Sequence, residues 1–274
     1  MTAAALDHKG RAPERTSFYR RMLDALLSDN LRRDMSVLVV AGGSADREAL
    51  LGAGFEKVTI SNVDESGDVY KPYEWSRQDA EALDCADASY DIVVVSAGLH
   101  HCASPHRALL EMYRVARVAV LAIESRDSLL MRLAIWIGAV GEYELEAVVA
   151  HDFTSGGVRN TYIPNYVYRW TEREIEKTIA SNAPMALHRF RYFREFELPG
   201  ALIDMRRDRI GAFAIRAAEP VAALITRIFP SQANLFGFVV RKPELPTDLQ
   251  PWLRLEDGVV VPDSAWMDRR LRRT

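Results

Sequence analysis

Val37-Leu38-Val39-Val40 is an unbroken apolar run that stops at Ala41-Gly42-Gly43, and Val58-Thr59-Ile60-Ser61-Asn62-Val63-Asp64 answers it downstream. A short β-branched run bounded by glycine fits a strand buried on both faces. Arg47 to Leu51, between the two runs, fits a short helix. A further run, Ile92-Val93-Val94-Val95-Ser96-Ala97, is followed by Pro105, a helical pattern over Arg107 to Ala116, and a strand pattern over Val118 to Glu124. Strands alternating with helices predict a doubly wound α/β sheet, whose ligands sit at the carboxyl ends of the strands. Upstream, Phe18, Met22, Leu23 and Leu26 recur at helical spacing. Downstream, His188 to Leu198 alternates aromatic and charged residues as a strand does, a helical stretch is broken by Pro220, and Asn234 to Arg241 supplies a last strand.

The strand ends carry the candidate chemistry. Gly42 and Gly43 allow close backbone approach to a ligand, and Asp64 is placed to accept hydrogen bonds from ribose hydroxyls. The G-x-G-x-x-G spacing of a dinucleotide site is absent. Asp46 also brings negative charge to the helix N-terminus, where a diphosphate would have to sit. A nucleoside with a positive sulfonium and no phosphate tolerates that rim better.

Asp79-Ala80-Glu81-Ala82-Leu83, Asp87-Ala88-Ser89-Tyr90-Asp91 and Gly98-Leu99-His100-His101 extend the pattern. From Val37 to Glu124 the chain resembles the class I S-adenosylmethionine-dependent methyltransferases, of the type 11 kind. The resemblance implies a Rossmann-like methyltransferase sheet and S-adenosyl-L-methionine as cofactor. It places Ala41, Gly42 and Gly43 beneath the methionine moiety, Asp64 on the ribose and Asp79 with Ala80 at the adenine, with Ser96 also in the cofactor site. It further implies that the N-terminal helix packs over the cofactor. Val39 stands where the family usually has an acidic residue, and Ala41 replaces the first loop glycine. Both departures motivate an alternative, a non-catalytic nucleotide-binding or partner-assembly module.

The expected organisation is one domain over 1–274. It comprises an N-terminal cap (1–34), a cofactor-binding half (35–125), a substrate lid insertion (126–187), sheet-closing strands (188–242) and a C-terminal tail (243–274). Thr171 and Glu174 read as a capping box that opens a helix. From His151 to Tyr166, donors, acceptors and aromatic faces crowd together without helical or strand periodicity, as in a binding lid. Arg159, Asn160 and Asn165 match sugar hydroxyls, while Tyr162 and Tyr166 suit stacking on a pyranose. The stretch from Glu142 to Thr178 is similar to bacterial saccharide O-methyltransferases of polysaccharide biosynthesis. A saccharide acceptor is therefore expected, with a phenol, amine or carboxylate as the alternative.

A sugar hydroxyl needs its proton removed, by a base or by a metal. His151, beside Asp152 as its orienter, is the first candidate base, and His101 at the strand end is the second. His100 is read as structural; His8, His106 and His188 are read as surface or packing residues. Glu124 and Asp127 are candidate ligands for Mg²⁺ bridging a substrate diol.

Composition narrows the remaining classes. With 274 residues, 49% hydrophobic and 27% charged, the chain can bury a full core. A net charge of -3 provides no broad attraction to nucleic acid or anionic lipid. Cys85 and Cys102 are too few for a disulfide scaffold, and no sustained apolar segment opens the chain, so a cytoplasmic location is expected. Leu129 to Val140 carries Arg132 and is too short to span a bilayer. It fits a buried lid or a homodimer helix, and no stable membrane insertion is expected. Without a long apolar surface helix, a lipid role is disfavoured. Arg269, Arg270, Arg272 and Arg273 read as a solvated helix end, and Trp252 and Trp266 as anchors for the tail.

Overall fold

The computed structural model describes residues 12–64, 67–198, 203 and 208–271. His8, Arg272 and Arg273 lie outside them. Helix α1 (Ala12–Ser28) leads to strand β1 (Ser36–Val40), helix α2 (Ser44–Ala53) and strand β2 (Lys57–Asn62). Then come β3 (Glu74–Arg77), β4 (Tyr90–Ser96), α3 (Pro105–Val115) and β5 (Ala116–Ser125). Helices α4 (Leu129–Trp136), α5 (Leu145–Ala150) and α6 (Glu172–Asn182) precede β6 (Arg189–Glu195), α7 (Arg209–Ile228) and β7 (Leu235–Arg241). The tail forms a hairpin, β8 (Leu253–Glu256) with β9 (Val259–Pro262), and helix α8 (Ser264–Leu271).

The main sheet has the order β3-β2-β1-β4-β5-β7-β6. Its first five strands pair in parallel, and β7 runs antiparallel to both neighbours. Alternate residues of each strand feed opposite cores. Val37 and Val39 meet Phe18, Met22, Leu23 and Leu26 of α1, whereas Leu38 and Val40 share a cluster with Leu109 and Met112 of α3 and Ile175 and Ile179 of α6. Burial on both faces explains why the central strands read as continuous apolar runs. The strand order reverses between β1 and β4, so a crevice opens at their carboxyl ends.

The doubly wound sheet, the N-terminal helix and the antiparallel closing pair form as expected. Strand β3 has no sequence signature because it is a half-exposed edge of Glu74-Trp75-Ser76-Arg77. Thr171 caps α6 by accepting from the Glu174 N–H at 3.3 Å, but the Glu174 carboxylate takes the Tyr168 hydroxyl, so only half of the box forms. Helix α7 continues through Pro220 rather than breaking.

Of two expectations about apolar helices, the structure removes one and narrows the other, leaving the homodimer-helix reading of α4 in place. Helix α4 has no buried residue; Leu129, Leu133 and Trp136 are exposed, the last by 82%. It is therefore not buried within this chain. A long apolar surface helix does exist, since α7 exposes Ile210, Phe213, Val221, Leu224 and Ile228. Among the described residues, no helix is long and apolar enough to cross a membrane.

Candidate active site

The β1 turn is shaped by contacts below it. Ala41 takes a positive φ of 49°, a conformation that ordinarily favours glycine. Across from it, a β-carbon at Gly98 would lie 2.7 Å from the Ala41 Cβ, so Gly98 supplies the space that Ala41 uses. Gly42 donates its N–H to the Ser61 carbonyl at 2.8 Å, and a β-carbon there would lie 2.7 Å from Val39. At the start of α2 the Asp46 carboxylate accepts from the Gly43 N–H at 2.8 Å. The helix's own carboxylate thus occupies the end where a dinucleotide's diphosphate would bind.

Beyond the turn lies a cavity of about 560 Å³, within the usual range for small-molecule sites. Ala41, Asp64, Asp79, Ala80, Ala97 and Gly98 line it. Gly42, Gly43 and Ser96, expected to touch the cofactor, are not among its walls and shape the strand ends behind it. No described residue of α1 lines it either; that helix packs on the sheet instead.

The loop from Gly156 to Ile163 reaches this cavity through residues expected to hold an acceptor. Gly157 donates to the Thr161 carbonyl at 2.7 Å and Val158 to the Ile163 carbonyl at 2.8 Å, folding the segment into a compact loop. A β-carbon at Gly157 would lie 1.8 Å from the Ile163 oxygen, so this crossing requires glycine. Arg159 extends from the loop to Glu81, with its Nε 2.9 Å from Oε2. Glu81 also accepts the amides of Ala103 and Ser104. Burial pushes the Glu81 carboxyl up, but Arg159 and these amides outweigh it and hold the carboxyl below its usual range. Asn160 lines the same cavity and accepts the Gly156 N–H at 3.2 Å.

A second cavity of about 280 Å³ adjoins the first. Ala97, His101 and Glu144 line both. Glu144 precedes α5, and its Oε2 lies 3.3 Å from His100 Nε2 and 3.4 Å from His101 Nε2. Behind His100, Nδ1 is 2.8 Å from the Oε2 of Glu124, a carboxylate with 0% exposure. Oε1 of Glu124 accepts the amides of Gly98 at 2.9 Å and Leu99 at 2.8 Å.

The charges follow from this packing. Burial pulls His100 down, but Glu124 and Glu144 overcome it and raise the imidazole to about 9. Burial pushes Glu144 up, yet His100, His101 and Asn165 bring it to about 2. His101 is lowered by burial and by the neighbouring His100 charge, so it is the neutral imidazole of the pair. The cluster can therefore offer a base to a ligand in either cavity.

Several candidate residues take other positions. His151 lines the first cavity, but its Nδ1 is held by the Ala147 carbonyl at 2.7 Å, the place expected for Asp152. Asp152 is exposed and lines neither cavity. Asn165 is buried and donates to Glu144 at 3.2 Å rather than facing an acceptor. Tyr162 is 66% exposed and Tyr166 packs edge-on against Tyr143; neither lines a cavity. Glu124 and Asp127 do not share a site: Glu124 is spent on His100 and two amides, and Asp127 accepts from Arg132 Nε at 2.8 Å. Glu144 was missed because it stands 43 positions after His101 in an unremarkable acidic stretch, Glu142-Tyr143-Glu144-Leu145-Glu146.

Residues 48–122 match the family described as a methyltransferase domain. No curated protein sequence matches the chain. Among solved structures, YcgJ from Bacillus subtilis is similar at TM-score 0.52 and 12% identity, covering 82% of this chain and 99% of its own. Magnesium protoporphyrin IX methyltransferase from Synechocystis PCC 6803, with bound S-adenosylhomocysteine, aligns at TM-score 0.52 and 11% identity over 87% of this chain and 92% of its own. At these identities the likeness concerns the fold. The chain is built on a methyltransferase fold, and residues 48–122 match the methyltransferase domain itself.

Proposed function

We propose that the chain is an S-adenosylmethionine-dependent O-methyltransferase, with cofactor in the larger cavity and acceptor in the smaller. One observation carries this reading: Ala97, His101 and Glu144 form a wall common to both cavities. Methyl transfer is an in-line displacement, so donor carbon and acceptor oxygen must meet at about 3–3.5 Å where two sites join. The acceptor oxygen gains the methyl carbon as the carbon–sulfur bond breaks, and sulfur keeps the electron pair. The hydroxyl proton leaves to the His100–His101–Glu144 cluster or through it to water. Asp64 and Asp79 offer acceptors to ribose and adenine, and the Arg159–Glu81 contact closes the rim. The family match over residues 48–122 supports the cofactor choice.

A saccharide hydroxyl is our first acceptor class. Its support is the polar groups that Ser125, Glu146 and Arg169 bring to the smaller cavity among apolar neighbours such as Val140 and Leu235; Tyr143 also lines it, whereas Tyr162 and Tyr166 do not. A lipophilic hydroxyl compound is the second, favoured by Met131 of α4 in that cavity and by the exposed apolar faces of α4 and α7. Single-turnover transfer from labelled S-adenosylmethionine to panels of saccharides and isoprenoid or acyl alcohols tests both. His101→Ala should lower the rate by about 10²–10⁴-fold with S-adenosylhomocysteine binding intact. Undiminished transfer in that variant removes the cluster from the chemistry; transfer surviving there but lost in His151→Ala restores the lid base.

A further inference from the structure

We propose that His100, His101 and Glu144 bind one divalent first-row transition ion on the wall between the two cavities. The proposal rests on that wall being the reaction site, and it states how the cluster activates an acceptor.

The ligand atoms, one from each residue, all lie within 4.8 Å of one another. Two of the separations, 3.3 Å and 3.4 Å, join the carboxylate to the two Nε2 atoms. A tetrahedral ion with bonds of about 2.0–2.1 Å has ligand–ligand edges of about 3.3–3.4 Å. Those two edges therefore match ligands on one ion, which would displace the proton that His100 carries toward Glu144.

His100 is also held from behind, as metal ligands commonly are. His100 turns Nδ1 toward the buried Glu124 at 2.8 Å, which aims Nε2 at the cluster. Asn165 donates to Oε2 of Glu144 at 3.2 Å and fixes the oxygen that faces the two imidazoles. A carboxylate backing an imidazole fixes its tautomer and raises its basicity as a ligand. Two imidazoles and one carboxylate favour Zn²⁺, Fe²⁺, Co²⁺ or Mn²⁺ over Mg²⁺, which prefers oxygen ligands. Three protein ligands leave a position for an acceptor hydroxyl, whose pKa such an ion lowers. The hydroxyl proton then passes to water, and the oxygen attacks the methyl carbon of the sulfonium.

The test titrates the chelator-treated full chain with Co²⁺, without cofactor or acceptor, following visible d–d absorption and calorimetric heat. The expected result is one Co²⁺ per chain, displaced by Zn²⁺, with His101→Ala and Glu144→Gln each weakening binding tenfold or more. Glu124→Gln, which alters the back of His100 while keeping an oxygen for the Gly98 and Leu99 amides, should weaken it by about 10–100-fold at unchanged stoichiometry. His188→Ala, whose ring contacts Tyr113, serves as the control and should bind normally. Far-UV circular dichroism establishes that each variant is folded. Absent Co²⁺ binding, or binding unchanged in both ligand variants, overturns the proposal. S-adenosylhomocysteine titrated in parallel separates the two readings. Its binding without Co²⁺ binding rejects only the metal; Co²⁺ binding without it rejects the methyltransferase.

Discussion

Replacing Glu124 with alanine strips three groups of their acceptor at once. The Gly98 and Leu99 amides donate to Oε1 at 2.9 and 2.8 Å, and His100 Nδ1 lies 2.8 Å from Oε2. All of this is buried, with Glu124 at 0% exposure. An orphaned buried donor costs about 1–3 kcal/mol, and breaking a buried ion pair from one side costs about 3–5 kcal/mol. The contributions overlap, so a loss of about 3–5 kcal/mol is expected for Glu124→Ala. Glu124→Gln retains an oxygen for the two amides but turns an NH₂ group toward His100, and should lose about 1–3 kcal/mol. Urea unfolding followed by tryptophan fluorescence and circular dichroism measures both, provided that the m-values agree with the wild type. A loss below about 1 kcal/mol for the alanine variant, or equal losses in the two variants, refutes the reasoning.

Arg159→Ala removes the loop's contact with Glu81; because Arg159 is more than half exposed, stability should barely change, while stopped-flow measurement should show faster release of S-adenosylhomocysteine. Unchanged release means that the contact does not close the rim. Gly98→Ala puts a β-carbon 2.7 Å from Ala41 Cβ and 2.8 Å from Val95, so overpacking of about 1–3 kcal/mol is expected, partly relieved by Ala41→Gly in a double-mutant cycle. Additive losses in that cycle would show that the two positions do not share space. Burial pushes the Glu172 carboxyl up, but Arg126 and Arg194 outweigh it and hold the group below its usual range. Its stabilisation is therefore present above the ordinary carboxylate range and lost as pH falls through the lower folded value. Glu172→Gln should flatten the acid limb of the stability profile, and an unaltered limb counts against the pairing.

The central fold was legible because each parallel strand is buried on both faces and written as a plain apolar run, as in Val37 to Val40 and Ile92 to Val95. Edge strand β3 was not, since Glu74 to Arg77 keeps a half-exposed, mixed pattern. Ala41, Asp64, Asp79, Ala80 and His101, read from local motifs at strand ends, line one cavity because chain order and spatial order coincide there. Glu144 was invisible because its meaning depends on a loop returning to His100 and His101, a long-range closure that leaves no local pattern. The same closure explains why Asn165 and Arg159 were assigned to an acceptor: a polar lid residue carries no sign of whether its partner will be ligand or protein. Here Glu144 and Glu81 are the partners. The exposed stripe of α7 was obscured by Pro220, which suggested two pieces where one helix runs.

The most direct measurement is calorimetric titration of S-adenosylhomocysteine into the wild type and into Asp64→Ala. A charge-assisted pair on the ribose contributes about 1.5–3 kcal/mol, so the account predicts one site per chain in the wild type and about tenfold or weaker affinity in the folded variant. Unaltered affinity in Asp64→Ala would remove that carboxylate from the site. A wild type that binds NAD in place of S-adenosylhomocysteine would contradict the account itself.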